Sequence, residues 1–364
     1  MIIIKGKYNT AKVFIDNLEP EAESQIKELC NQEFTNGSII RIMPDVHAGI
    51  GCTIGTTMTI KDKIVPNLVG VDIGCGIEVM KLRQKEIDLE MLDKSIHKFI
   101  PAGFKIRKTP HDYLKYVNIE NLICKNYVDM ERARQSIGTL GGGNHFIEIN
   151  IDNPGNLYFV VHSGSRHLGK QICEYYQKVA AKSHPGLPSQ LAYLEGKEFE
   201  NYLHDMKIAQ EYAKYNRKAI VNEISMRMEF YEQEQFTTVH NYININDMIL
   251  RKGAISARKG EKVLIPINMR DGSLICIGKG NPDWNYSAPH GAGRIMSRRK
   301  AREAITLEEF KQTMINVYST TVSKETLDEC ALAYKPMDEI IENIKDTVEI
   351  IDVIHPIYNF KAKE

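Results

Sequence analysis

Five histidines of this chain stand in one repeated setting, and that setting limits the folds open to it. Each closes an apolar, strand-like run and sits beside glycine or asparagine. They are His47 in Pro44-Asp45-Val46-His47-Ala48-Gly49, His145 in Gly141-Gly142-Gly143-Asn144-His145, and His162 in Val160-Val161-His162-Ser163-Gly164-Ser165-Arg166. The other two are His240 in Thr238-Val239-His240-Asn241 and His290 in Ala288-Pro289-His290-Gly291-Ala292-Gly293-Arg294. Strand ends are where loops gather polar groups over a rigid scaffold. A single histidine of this kind is more often a hydrogen-bonded structural residue. Five in matched settings argue for a shared site.

The stretches between them alternate between strand and helix without a clean βαβ rhythm. Residues 1–16 read as short strands, 21–31 and 86–100 as amphipathic helices, and residues 39–82 as β-rich and crowded with glycine. Two apolar runs within 145–162 flank the turn Asn153-Pro154-Gly155-Asn156 and read as neighbouring strands. A helix follows Gly169 towards Lys182, long helices fill 190–232, and strands return over 236–279. Further helices are expected near 291–303, 306–316 and 336–348, and a last strand at 349–354. The pattern predicts a mixed α/β (α+β) fold: one large domain over residues 1–364, with central sheets, flanking helices and a helical lobe at 188–232.

Composition narrows the class. Apolar residues are 43% and charged residues 26%, which rules out global disorder. Lys+Arg and Asp+Glu are both 47, so net charge carries no sign of nucleic-acid binding, and an anionic partner must meet a local patch. No apolar run is long enough for a membrane span, and the N-terminus has too short an apolar stretch for a signal peptide. A cytoplasmic protein without membrane contact is expected. The seven cysteines form no CxxC pair, so neither a disulfide framework nor a closed Cys-rich zinc site is expected.

Asp72-Ile73-Gly74-Cys75-Gly76 sets a carboxylate and a thiol in a glycine-bracketed turn. With several imidazoles, that pair suits a divalent transition metal. Three glycine turns precede strands or helices: residues 138–144, 163–166 and 290–294. Backbone N–H groups at such turns point at anions, and an arginine in the turn adds a phosphate fork. The turn at His290 is expected to open a basic helix carrying Arg294, Arg298, Arg299, Lys300 and Arg302, a face suited to a nucleic-acid backbone. Asp45 is a candidate for orienting His47. Glu148 and His145 point apart on a regular strand.

Taken together, these segments resemble the RtcB family of RNA ligases. The resemblance rests on Asp45-Val46-His47-Ala48-Gly49, Gly70-Val71-Asp72-Ile73-Gly74-Cys75-Gly76, Gly141 to Glu148, His162 to Arg166, His240-Asn241 and His290 to Arg294, in family order. It implies an enzyme that uses GTP and two Mn²⁺ ions to join an RNA 3′-phosphate or 2′,3′-cyclic phosphate to a 5′-hydroxyl. The work would be RNA repair or tRNA splicing, with an activating protein as a further partner. His290 would be the nucleophile, forming a His290–GMP intermediate and then an RNA(3′)pp(5′)G end. Asp72, Cys75 and His145 would hold one metal, and Cys75, His162 and His240 the other. Asn144, Glu148, Asn241, Asn268, Ser273, Gly291, Ala292, Gly293, Arg294, Tyr334 and Lys361 would bind the nucleotide, with Tyr334 against guanine and Lys361 near its O6. Arg166 and His47 would meet RNA.

Two segments depart from the family pattern. The stretch Pro266-Ile267-Asn268-Met269-Arg270-Asp271-Gly272-Ser273 stands where the family has Pro-Gly-Ser-Met-Gly, and Asp328 to Lys335 lacks the family proline. Both border the base pocket, so ATP stays open beside GTP. The rival readings are a dinuclear metallo-phosphoesterase, a 3′-phosphate nucleotide-capping enzyme and a non-catalytic RNA-end binder.

Overall fold

The computed structural model describes residues 1–362; the last two residues of the expected 1–364 span lie outside the described residues. Strands and helices are numbered here along the chain. One sheet has, in spatial order, β1 (Ile2–Lys5), β2 (Thr10–Val13), β3 (Ile40–His47), β4 (Ile54–Thr59), β12 (Ile249–Lys252) and β11 (Asn241–Asn244). The other runs β10 (Glu232–Val239), β6 (Gly76–Leu82), β8 (Leu157–Ser163), β7 (Phe146–Ile151), β17 (Val348–Lys361), β15 (Gly272–Gly278) and β14 (Lys262–Asn268). Two short pairs join β5 (Lys63–Ile64) to β9 (Leu194–Glu195) and β13 (Ala254–Ser256) to β16 (Ser287–Pro289). The helices are α1 (Pro20–Cys30), α2 (Leu89–Phe99), α3 (Met130–Ser136), α4 (Arg166–Ser183), α5 (Gly196–Met228), α6 (Arg298–Ala304), α7 (Leu307–Thr313) and α8 (Met337–Ile344). The architecture is mixed α/β, as expected.

Local chemistry accounts for the elements. Pro20 starts α1, Glu21 and Glu23 sit in its first turn, and Lys27 lies in its last, each matched to the helix dipole. Asp88 caps α2 by accepting from Met91 N at 2.9 Å. Every residue of β8 is buried, as its unbroken apolar run implies for a strand covered on both faces. Phe159 on β8 is fully buried and meets Phe230 edge-on at 5.4 Å. Phe159→Ala is expected to cost about 3–5 kcal/mol of stability, read by urea unfolding. A loss under ~1 kcal/mol would mean the strand is not packed as described.

Several elements differ from the sequence expectation. The 190–232 stretch contains one long helix, α5, rather than several. Its Met206, Ala209 and Tyr212 join a core with α4, while Ile220, Val221 and Ile224 join a core with β8 and α2. Helix α4 starts at Arg166, before Gly169, and β17 runs to Lys361, past the expected 354. Two register shifts, at Ile275/Cys276 and at Pro356/Tyr358, let β17 pair first with β15 and then with β7. The helix expected from 291 begins only at Arg298, where Ser297 caps it. Residues 291–297 are irregular because Gly293 adopts φ +73° and lies against Asp45, where a Cβ would meet backbone at 2.6 Å. Arg294 is therefore outside the basic helix. Among the described residues, no helix is long and apolar enough to cross a membrane.

Candidate active site

Sheet order gathers the candidate ligands. Strands β10, β6, β8 and β7 are consecutive neighbours and all antiparallel. The start of β6 therefore lies beside the ends of β10 and β8 and near the start of β7. The register pairs Gly76 with Ser163 and with Val239, and Phe146 with His162. Cys75, His145, His162 and His240 flank or close these ends, so one edge of the sheet holds all four. The Asp72 turn folds back on the same edge, with Ser165 N donating to Asp72 Oδ1 at 2.9 Å.

The side chains form a chain of contacts with Cys75 in the middle. Asp72 Oδ2 is 3.0 Å from His145 Nε2, and Cys75 Sγ is 3.3 Å from both His145 Nε2 and His162 Nε2. His162 Nε2 is 3.4 Å from His240 Nε2. His162 Nδ1 donates to Asn144 O at 3.1 Å, which leaves its Nε2 as a lone pair facing sulfur and a second imidazole. Bonds of ~2.1–2.3 Å to one ion set ligand separations of about 3.0–3.7 Å, so the spacing fits a cation. Burial lowers His162 and His240 well below the ordinary histidine range, which keeps both neutral and ready to ligate. Burial raises the Cys75 thiol, and a bound cation would reverse that shift. Burial also works against the Asp72 carboxylate, but His145 and Arg166 hold it below its usual range.

His290 follows β16 and faces this cluster, with its ring 4.8 Å from that of His240. Asp45 Oδ2 accepts from His290 Nδ1 at 2.7 Å and from His290 N at 3.1 Å. The expected Asp45–His47 pairing is thereby corrected. The Asp45 carboxylate serves His290, and His47 Nδ1 donates instead to the Asp45 backbone oxygen at 2.9 Å. A regular strand carries alternate side chains to the same face, but the β3 register shifts between Ile42 and His47, which sends the two side chains to different partners.

A pocket of about 180 Å³ opens beside His290. Its lining includes His47, Asn144, Glu148, His162, Asn268, Ser273, Gly291, Ala292, Gly293, Arg294, Tyr334 and Lys361. Ser273 Oγ is buried there without a partner. Burial raises the Glu148 carboxyl to about 7, although Asn150 and Asn359 donate to it. Of the residues expected to bind nucleotide, Asn241 lies elsewhere, and Arg166, expected to meet RNA, lies outside this pocket. Asn241 donates to Asp72 O at 3.2 Å and accepts from Gly253 N at 2.9 Å, so it props the metal-side turn. Arg166, with φ +59°, reaches His145 Nδ1 at 3.3 Å and floors a second cavity of about 410 Å³. Gly141 leaves room for its guanidinium, which a Cβ there would overlap.

Sequence reasoning missed the acidic pair Asp328–Glu329. Glu329 accepts from Lys361 Nζ and Arg298 Nη1 at 2.6 Å and from the Tyr334 hydroxyl at 2.8 Å. Burial opposes its charge, yet Lys361 and Arg298 hold it at about 2. Asp328 takes Arg298 Nη1 at 2.6 Å and Arg302 Nε at 3.1 Å, and Arg294 lies 3.6 Å from Glu329. Three arginines at four-residue spacing were the available signal that a buried acidic partner exists. Arg294 and Arg298 line the pocket and Arg302 pairs with Asp328, so these three are committed to acidic partners, whereas Arg299 and Lys300 of the expected basic face are exposed.

The family described as tRNA-splicing ligase RtcB matches residues 25–362. The chain is 32% identical to the RNA-splicing ligase RtcB of Escherichia coli (strain K12), covering 95% of each chain. It is 27% identical to the tRNA-splicing ligase RtcB of Aeropyrum pernix, over 91% of this chain and 90% of that protein. It is 25% identical to the RNA-splicing ligase RtcB homolog 1 of Entamoeba dispar, over 93% and 84%.

Proposed function

Because this chain belongs to the RtcB family, we propose that it is an RNA ligase that joins a 3′-phosphate or 2′,3′-cyclic phosphate end to a 5′-hydroxyl end at the expense of GTP. One observation carries the reading. His290 Nδ1 is committed to the buried carboxylate of Asp45, which leaves Nε2 as the free nitrogen beside the metal-type cluster and the pocket. A hydrolase using the same ligands has no need of that arrangement.

The chemistry divides into three displacements at phosphorus. His290 Nε2 attacks the α-phosphorus of GTP, forming a P–N bond while the bond to pyrophosphate breaks. Asp45 stabilises the positive charge that the imidazole gains, as a carboxylate does behind other catalytic histidines. An oxygen of the RNA 3′-phosphate then takes the guanylyl group, and the P–N bond breaks. The 5′-hydroxyl attacks the RNA phosphorus of that pyrophosphate linkage and GMP leaves. Asp72, Cys75 and His145 would hold one Mn²⁺ and Cys75, His162 and His240 a second; when bound, such ions neutralise charge on the phosphate oxygens. Asn144, Glu148, Asn268, Ser273, Tyr334 and Lys361 would receive the nucleotide, with Gly291 to Arg294 alongside. His47 and Arg166 would receive RNA. The second cavity supports the Arg166 assignment, since Lys105, Arg132 and Lys170 line it and no carboxylate does.

The test is a joining assay. An RNA ending in 3′-phosphate and an RNA with 5′-hydroxyl are incubated with Mn²⁺ and GTP, with ATP in parallel. A longer strand with GTP supports the proposal. A strand with ATP only would overturn the nucleotide. Loss of the phosphate without joining would favour a metallo-phosphoesterase, and a capped 3′ end without joining would leave a capping enzyme.

Glu148 adds a pH prediction. Its carboxyl is raised to about 7, so it is mostly ionised at pH 8 and mostly protonated at pH 6. If the carboxylate accepts from a ribose hydroxyl, GTP affinity falls about tenfold from pH 8 to pH 6. Glu148→Gln should flatten that dependence in a calorimetric titration. An equally steep profile in the variant would assign the proton to another group.

A further inference from the structure

We infer that the cavity of about 410 Å³ beside Arg166 receives the RNA strand that carries the 5′-hydroxyl, with Phe104 at its rim stacking on one of that strand's first bases. The inference rests on the ligase reading and says which strand goes where. In the last displacement GMP leaves the RNA phosphorus towards the nucleotide pocket. An in-line attack brings the hydroxyl to the opposite side of that phosphorus. The two cavities share no lining residue, and the metal-type cluster stands between them. His162 lines the nucleotide pocket, Cys75 Sγ links it to His145, and His145 Nδ1 meets Arg166 Nη1 at 3.3 Å on the far side. The cluster opens to water at that far end. Asp72 has 27% of its side chain exposed and accepts from Ser165 N, next to Arg166, whereas Cys75, His145, His162 and His240 are buried.

The cavity has the two features that hold a single strand, cations for the backbone and an aromatic face for a base. Among the described residues, Lys105 and Arg132 in its wall form no ion pair, while Asp72 offsets Arg166 and Glu174 lies 3.8 Å from Lys170. Phe104 is 80% exposed, more than any other large apolar side chain among the described residues. Its place is fixed by the backbone. Gly103 takes φ +64° in the turn closed by Lys105 N on Ala102 O at 3.3 Å, and its own N–H reaches Gly141 O at 3.0 Å. Arg132 Nη2 donates to Phe104 O at 3.0 Å, and the Arg107 guanidinium holds the same loop to Gly138 O at 2.9 Å. A loop tied down in this way presents the phenyl ring instead of burying it. Stacking on such a ring accepts any base, so the strand is held without sequence choice.

Fluorescence anisotropy on the full chain tests this with two single-stranded RNAs. The first has a free 5′-hydroxyl and its dye at the 3′ end; the second has a 3′-phosphate and its dye at the 5′ end. Phe104→Ala should weaken binding of the first by about five- to a hundredfold, and Phe104→Trp should restore it. An abasic residue at one of the first three positions of that strand should cost the wild-type chain a similar factor, and Phe104→Ala should then add little. A ring that only supported folding would lower affinity for both strands, whichever base is missing. Equal affinity of the wild-type chain and Phe104→Ala, a loss common to both strands, or coupling to bases of the 3′-phosphate strand overturns the assignment. Binding is read without joining, so a chain that shows the coupling but makes no longer strand in the joining assay refutes the ligase reading alone.

Discussion

Cys75→Ala is expected to remove metal from this protein almost completely, with more than about a hundredfold loss of Mn²⁺ or Co²⁺ affinity. Changes to groups that merely orient a ligand already cost 10–100-fold, and Cys75 is the centre of the contact chain. Its sulfur lies 3.3 Å from both His145 and His162, and Asp72 and His240 join through those two. Removing a side chain at either end would leave three of four contacts, whereas removing the middle separates the cluster into two pairs. Equilibrium dialysis followed by metal analysis reads the loss. Replacing Mn²⁺ by Co²⁺ adds a sulfur-to-cobalt absorption band that only a thiolate ligand gives. Cys75→Ser should keep part of the affinity and lose the band, because an oxygen replaces sulfur at similar size. Folding is a separate matter. The thiol is 2% exposed and neutral without a cation, so metal-free stability of the alanine variant should change by only about 1–2 kcal/mol. Full metal content in Cys75→Ala would sink the assignment of the centre.

The legible parts of this molecule were those where local chemistry and global fold agree. Histidines at strand ends could be placed without a structure, since five apolar runs end in the same kind of setting. Antiparallel pairing of β6, β7, β8 and β10 then does the gathering. Non-local pairing escaped the sequence. Asp45 and His47 are two residues apart, so a local reading joined them, yet the partner of Asp45 is His290, 245 positions away. Helical periodicity misled at residues 291–297 for a similar reason. Their composition suits a helix, but the approach of Gly293 to Asp45 fixes a different backbone. The arginines at 294, 298 and 302 read as a solvated basic face because their acidic partners lie some thirty residues further on. The last strand, expected to stop at 354, runs on through Pro356 to Lys361, although a proline ordinarily interrupts pairing. Here it stands at a register shift, which accommodates it.

His290→Ala should abolish covalent labelling of the protein by α-³²P GTP, a loss of more than about 10⁴-fold, the scale on which enzymes respond to removal of a nucleophile. The label expected in the wild-type chain is a phosphoramidate, so it should survive denaturation and alkali and fail in acid. Asp45→Asn separates chemistry from placement. The amide keeps the size of the carboxylate but presents no negative charge to the imidazole as the P–N bond forms. It can also turn its NH₂ towards Nδ1, which would favour the tautomer with hydrogen on Nε2, the wrong one for attack. Labelling should then slow by about 10²–10⁴-fold while GTP binding stays within a few-fold. That split is what a positioning role requires, since a merely structural defect would damage binding and metal content together. Normal labelling in His290→Ala would move the nucleophile elsewhere. Normal labelling in Asp45→Asn would leave His290 as nucleophile and reduce the 2.7 Å contact to packing. The two variants therefore test different links in the argument: the first asks which atom attacks, and the second asks what makes that atom available.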